Sequence, residues 1–194
     1  MDIKLVDKKD KIVLFFGEIK SSSVESVVKE ISKINALDEE YIQESRNWVE
    51  KNGLSVDSIR PSPIQLHLST PGGTCYDGLS LYDAIESSST PVEITCYGRI
   101  MSMGIVVLLA SNVRRAHRNT TFLIHQASGL AFGSLSDVEA SVEEIRRINN
   151  IIFSIITSKT KISEERLKEV LDYKQNWIFT ASEALDLGVI TEII

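Results

Sequence analysis

Two hydrophobic rhythms alternate along this chain. Residues 11–16 (KIVLFF) form a short apolar run closed by Gly17, which predicts a buried strand. Val24, Val27, Val28, Ile31 and Ile34 follow at helical spacing, behind Ser21, Ser22 and Ser23 as candidate caps. Residues 35–63 are polar and acidic, with Trp48 and Val49 among the few apolar anchors, and read as a helix or helix–loop decorating the fold. Ile64, Leu66 and Leu68 alternate with Gln65 and His67, a strand that runs into the turn Ser69-Thr70-Pro71-Gly72-Gly73. Residues 78–86 read as a helix and residues 92–97 as a strand broken by Gly98. A helix opens near Ser102, and residues 121–124 form a further strand ending at His125.

Beyond His125 the rhythm becomes helical for most of the chain. Val138, Val142, Ile145, Ile148, Ile152 and Ile155 step by threes and fours through one long helix. Around residues 151–156 that helix is apolar almost all round, so this end is expected to be buried, with another subunit as one candidate cover. Ser163 caps another helix with Ile162 and Leu167 as a hydrophobic staple, and Thr180 with Glu183 forms a capping box closed by Gly188. Residues 189–191 close with strand-like character. Strands alternating with helices predict a single α/β domain over residues 1–194, with crossover connections and a largely parallel sheet.

Composition narrows the classes. The 194 residues are 43% hydrophobic and 25% charged, enough for one well-buried domain and unlike a disordered chain. A net charge of -6 argues against nucleic acid as the main partner. The longest apolar run, residues 105–110, is far short of the ~18–20 residues that span a bilayer. No secretory signal is visible, so Cys75 and Cys96 are read as reduced thiols of a cytoplasmic protein. Their spacing suggests no metal site, and no cofactor is expected.

Three short segments carry candidate chemistry. In Tyr97-Gly98-Arg99-Ile100-Met101-Ser102-Met103-Gly104 a strand ends and a serine sits at the mouth of an apolar helix. Helix N-termini expose unpaired N–H groups, which can hold an oxyanion while a serine attacks a carbonyl. A serine N-cap on a core helix would look the same. Pro71-Gly72-Gly73 lets the backbone approach a ligand, or is an ordinary turn. His125 ends the strand Phe122-Leu123-Ile124, as a base or as a structural core residue. His67, on a strand face, and His117, in the basic stretch Arg114-Arg115-Ala116-His117-Arg118 read as a solvated loop, are weaker candidates.

In this order and spacing, PGG, SMG and IHQ resemble the Clp protease proteolytic subunit (ClpP) family of serine peptidases, from about residue 11 to about residue 190. The KIVLFFGEI strand, the YDAI helix and TASEALDLGVI extend the likeness. The resemblance implies a ClpP/crotonase-like core of repeated β-β-α units with a protruding handle helix. It implies Ser102 as nucleophile, His125 as general base, and the Gly73 and Met103 N–H groups as oxyanion hole. It implies a handle region at about 129–158 and a homo-oligomer of stacked heptameric rings, or mixed rings with a paralogue. It further implies an AAA+ unfoldase of the Clp type as partner, and a peptide or unfolded protein as substrate.

The chain also departs from that pattern. Aligning Ile178-Phe179-Thr180-Ala181-Ser182-Glu183-Ala184 puts Asn176 where the family usually has its triad aspartate, with Asp172 as a rival if the register slips. An asparagine oxygen can accept from a histidine N–H, as in papain-like proteases, but brings no charge to the imidazolium. Residues 35–63 look like an insertion, the stretch before Lys11 is short for an axial gate, and His67 stands where the family often has an aromatic docking residue. An enoyl-CoA hydratase-like protein of the same broad fold does not need the Ser–His pair. A Ser–Lys peptidase would want lysine where Arg99 stands. The competing class is a weakly active or inactive subunit that assembles with an active paralogue.

Overall fold

A computed structural model describes residues 5–6, 11–53, 59–173 and 176–194 of the chain. Strand β1 (Leu5–Val6) pairs in parallel with β3 (Ile59–Arg60), outside the main sheet. Strand β2 (Ile12–Phe16) starts that main sheet but is not buried on both faces as its apolar run suggests. Val13 and Phe15 enter the core, while Ile12, Leu14 and Phe16 are exposed on the other face.

Helix α1 (Ser21–Lys51) is one continuous helix of 31 residues, where the sequence suggests a helix followed by a separate decoration. Ser23 accepts from the Lys20 N–H at 3.1 Å at its start. Val24, Val27, Ile31 and Ile34 face the core. The polar stretch stays helical because a buried ion pair takes over from apolar spacing. Asp38 accepts from Lys11 Nζ at 2.6 Å and is also hydrogen-bonded by Thr90. Of the expected insertion, residues 54–58 lie outside the described residues.

Strand β4 (Ile64–Thr70) and helix α2 (Cys75–Glu86) precede β5 (Val92–Met101), which Gly98 does not end. At φ +59, Gly98 makes an irregularity inside the strand: Leu68 pairs with Cys96, but Thr70 pairs with Ile100. The strand changes neighbours there. Its first half pairs with β6 (Val113–Ala116) and its last three residues pair with β7 (Thr121–Ile124). Helix α3 (Met103–Leu109), buried throughout, connects β5 to β6.

Helices α4 (Leu135–Lys159) and α5 (Glu164–Asp172) lead to β8 (Trp177–Thr180), α6 (Ala181–Asp186) and β9 (Glu192–Ile193). The described sheet order is β2-β4-β5-β6-β9, with β7 beside β5 and β8 antiparallel to β7. All other pairings in this sheet are parallel. The terminal strand begins at Glu192, beyond the residues whose composition suggested it; Val189 and Ile190 pack into the core instead.

The Arg114–Arg118 stretch is not a solvated loop. Its first half is β6, and Arg114 is buried, donating to the carbonyls of Val189, Ser111 and Gly188 at 2.8, 2.6 and 3.0 Å. Helix α4 is half core and half projection. Ile148, Ile152, Phe153 and Ile156 are buried within this chain, while Leu135 is 75% exposed. No helix among the described residues is long and apolar enough to cross a membrane.

Candidate active site

Three neighbouring strands deliver their carboxyl ends to one place. In the sheet, β4 and β7 both pair with the end of β5, through Thr70↔Ile100 and Met101↔Leu123. Crevices beyond the carboxyl ends of parallel strands are where α/β sheets hold ligands. Pro71-Gly72-Gly73 follows β4, Ser102 follows β5 and His125 follows β7.

Ser102 has φ 55 and ψ -125, the one non-glycine residue with positive φ among those described. Such a backbone costs on the order of 1–3 kcal/mol and persists only where the surroundings hold it. Its N–H donates to Leu123 O at 2.9 Å, and the core helix α3 pulls from the other side. Ser102 occupies the N-cap position of α3, yet its hydroxyl caps nothing. The Oγ lies 2.7 Å from His125 Nε2 instead.

Gly72 passes directly against the serine. A Cβ on it would fall 2.7 Å from Ser102 Cβ and 2.8 Å from Met101 O, so only glycine fits. Gly73 is equally tight against the next segment, where a Cβ would meet Ile19 O at 2.0 Å. Met103 begins α3, so its N–H has no intrahelical acceptor. Gly73 thus follows the glycine that touches Ser102, and Met103 follows the serine itself.

Asn176 stands differently. The β7–β8 ladder ends at Ile124↔Trp177, and His125 and Asn176 are the next residues beyond it on the two chains. Its strand is well held: Trp177 packs 5.2 Å from Phe179 and lies under the Arg166 guanidinium at 4.5 Å. Yet Asn176 is exposed, and among the described residues no hydrogen bond reaches His125 except that of Ser102. Asp172, at the end of α5, is exposed as well. His67 and His117 sit elsewhere, on either side of Tyr97, with ring centroids 5.3 and 4.5 Å from it.

A small apolar pocket opens beside Ser102, walled by Cys75, Met103, Ile105, Ile124, Ile152 and Ile156. Burial raises the Cys75 thiol above its ordinary range, so it is a neutral wall and not a thiolate. Two isoleucines of this wall come from α4, which is tied to the body beyond it. Tyr76 of α2 donates to Glu144, and Arg147 grips the same carboxylate at 2.7 and 2.8 Å. Arg147, then Tyr76, hold the Glu144 carboxyl down at about 2. A depressed carboxylate contributes fully above its ordinary value, and this tie weakens as pH falls toward about 2. Cys75, Tyr76 and the α4 isoleucines carry no motif; only their place in the fold marks them.

The Clp protease family profile matches residues 20–194 of this chain. An ATP-dependent Clp protease proteolytic subunit of Deinococcus radiodurans is 33% identical over 144 residues, 73% of this chain and 70% of that protein. Proteolytic subunit 1 of Borreliella burgdorferi is 27% identical over 189 residues, 96% of this chain and 85% of that protein. Among solved structures, an asparagine-to-aspartate mutant of ClpP1 from Listeria monocytogenes has the same fold. It gives a TM-score of 0.76 over 95% of this chain and 91% of that one, at 24% identity.

Proposed function

This chain belongs to the Clp protease family, and on that premise we propose that it is a serine endopeptidase subunit of an ATP-dependent Clp-type protease. Its substrate is unfolded protein, cut to short peptides inside a ring-shaped chamber. The observation that carries this reading is the 2.7 Å contact between His125 Nε2 and the Oγ of a strained Ser102.

In this mechanism His125 takes the Ser102 proton as Oγ attacks the peptide carbonyl. The oxyanion forms against the Gly73 and Met103 N–H groups. His125 then returns the proton to the leaving amine, and water releases the acyl group by the same route. Asn176 serves as the third member, its Oδ1 accepting from His125 Nδ1 once substrate closes the site. Hydrogen bonds of this kind are often unmade in the free enzyme and tighten only in the complex. The subunits assemble as stacked heptameric rings, or mixed rings with a paralogue, through the handle at about 129–158. A Clp-type AAA+ unfoldase docks on the sheet face where Tyr97 lies against both Phe16 and His67, and consumes the ATP; the assembly works in the cytoplasm.

The second reading is a weakly active or inactive subunit that builds a ring with an active paralogue. It is favoured by the neutral Asn176 and by the absence, among the described residues, of a partner for His125 Nδ1. Intact-mass detection of fluorophosphonate labelling, with Ser102→Ala as control, separates the two. One adduct lost in the variant is the expected result. A wild-type protein that stays unlabelled alone, and labels only the paralogue in a mixture, would establish the second reading.

A further inference from the structure

We infer that Asn149 of α4 is a positioning residue for His125, so that the seat of α4 decides whether Ser102 is activated. The inference rests on the peptidase reading above. After Ile124 the chain leaves the sheet and runs without a ladder toward α4. The Ala127 N–H therefore has no strand partner. Asn149 Oδ1 accepts it at 2.8 Å. Backbone donors away from water need such an acceptor, and here a side chain stands in for a strand.

Asn149 is an unusual residue for its place. It is 7% exposed on a helix face otherwise formed by Ile148, Ile152, Phe153 and Ile156. A buried amide on an apolar face is unfavourable unless it is bonded. Its Nδ2 donates to Ile145 O at 3.0 Å, which turns the oxygen toward Ala127. The reverse orientation would set an NH₂ against an N–H, so chemistry fixes the amide as described.

The consequence falls on His125, two residues before Ala127. Its ring has one hydrogen bond among the described residues, to the serine it must deprotonate. Its direction is therefore set by its backbone, and that backbone is pinned to α4 at Ala127. Ile152 and Ile156, on the same helix, wall the pocket beside Ser102 together with Ala127. A shift of α4 thus moves the base and the pocket together.

The test uses the full chain and two substitutions. Asn149→Leu keeps the side-chain shape and the apolar face but removes the acceptor. Asn149→Asp keeps an oxygen toward Ala127. For Asn149→Leu the fluorophosphonate labelling rate and kcat should fall ~10–100-fold, as for misplacement of a catalytic group by about 1 Å, with KM little changed. Asn149→Asp should recover most of the rate. The chain has three histidines, so isotope-labelled histidine spectra resolve each ring. The His125 signal should move in Asn149→Leu while His67 and His117 stay. Wild-type labelling rates with an unmoved His125 signal would overturn the inference. If the wild type does not label at all, the peptidase reading has failed, and the His125 signal still decides the positioning role. Should Asn149→Leu not fold, amide exchange in the wild type decides: a protected Ala127 N–H supports the clamp, and free exchange removes it.

Discussion

Ser102 and His125 meet because each is thrown off the end of an apolar strand whose neighbour carries the other. The strain at Ser102 turns its hydroxyl away from the helix it begins and toward the ring. Among the described residues no charged side chain is hydrogen-bonded to His125. If Asn176 is the third member proposed above, Asn176→Asp brings a carboxylate to the imidazolium. In trypsin-like triads the reverse exchange lowers turnover ~10⁴-fold. Here kcat should rise by about 10-fold or more, since a carboxylate stabilises the imidazolium that forms during turnover. Steady-state kinetics with Asp172→Asn beside it checks the register. If Asp172→Asn abolishes turnover and Asn176→Ala leaves it intact, Asp172 is the third group. The chain reversals at Ser102, His125 and the glycine turn were legible in short local patterns, while their chemistry was suggested only by the order of the three motifs, which resembles a known family. Asn149 and Cys75 were not, because no local pattern says which helix will lie over which turn.

Among elements, α3 and β4 fit tightly together. Gly104, in the first turn of α3, faces Thr70 so closely that a Cβ would meet its Cγ2 at 2.5 Å. Thr70 has a second task, accepting the Gly72 N–H on its Oγ1 at 3.0 Å beside the serine. Gly104→Ala should destabilise the fold by about 1–3 kcal/mol through overpacking. Thr70→Ser removes the obstructing methyl and keeps the hydroxyl, so the double variant should recover much of that loss. Denaturant midpoints of the four proteins measure the coupling, and simple additivity would show that the two residues do not meet. Helix and strand types were largely readable from periodicity. Tertiary contacts decide what periodicity leaves open or misses: Asp38 is buried by an ion pair within α1, and a bent backbone at Gly98 carries β5 past its apparent end.

For the whole molecule, strand order was the part least available to sequence. Alternating elements imply a parallel sheet, but nothing in their order shows that β5 divides its partners between β6 and β7, or that β8 returns antiparallel. Nor does composition show that Arg114 ties β6 to residues 188 and 189. Arg114→Met keeps the length and loses the donors, which should cost about 3 kcal/mol. Amide exchange should accelerate first in residues 189–194 while β4 stays protected. Equal acceleration in both would mean that the guanidinium supports the sheet as a whole.

That same guanidinium gives the sheet a checkpoint in time. Residues 114 and 191 are joined by a hydrogen bond across 77 positions of sequence. During synthesis, which folds chains from the N-terminal end, β6 exists long before the segment that completes it. Until residues 188–193 arrive, one side of β6 is bare and a cation waits at the edge of the core without two of its three carbonyls. A chain interrupted in this interval carries its own mark of incompleteness, an open strand edge beside an unsatisfied charge, and that is the form in which it is most exposed to aggregation or removal.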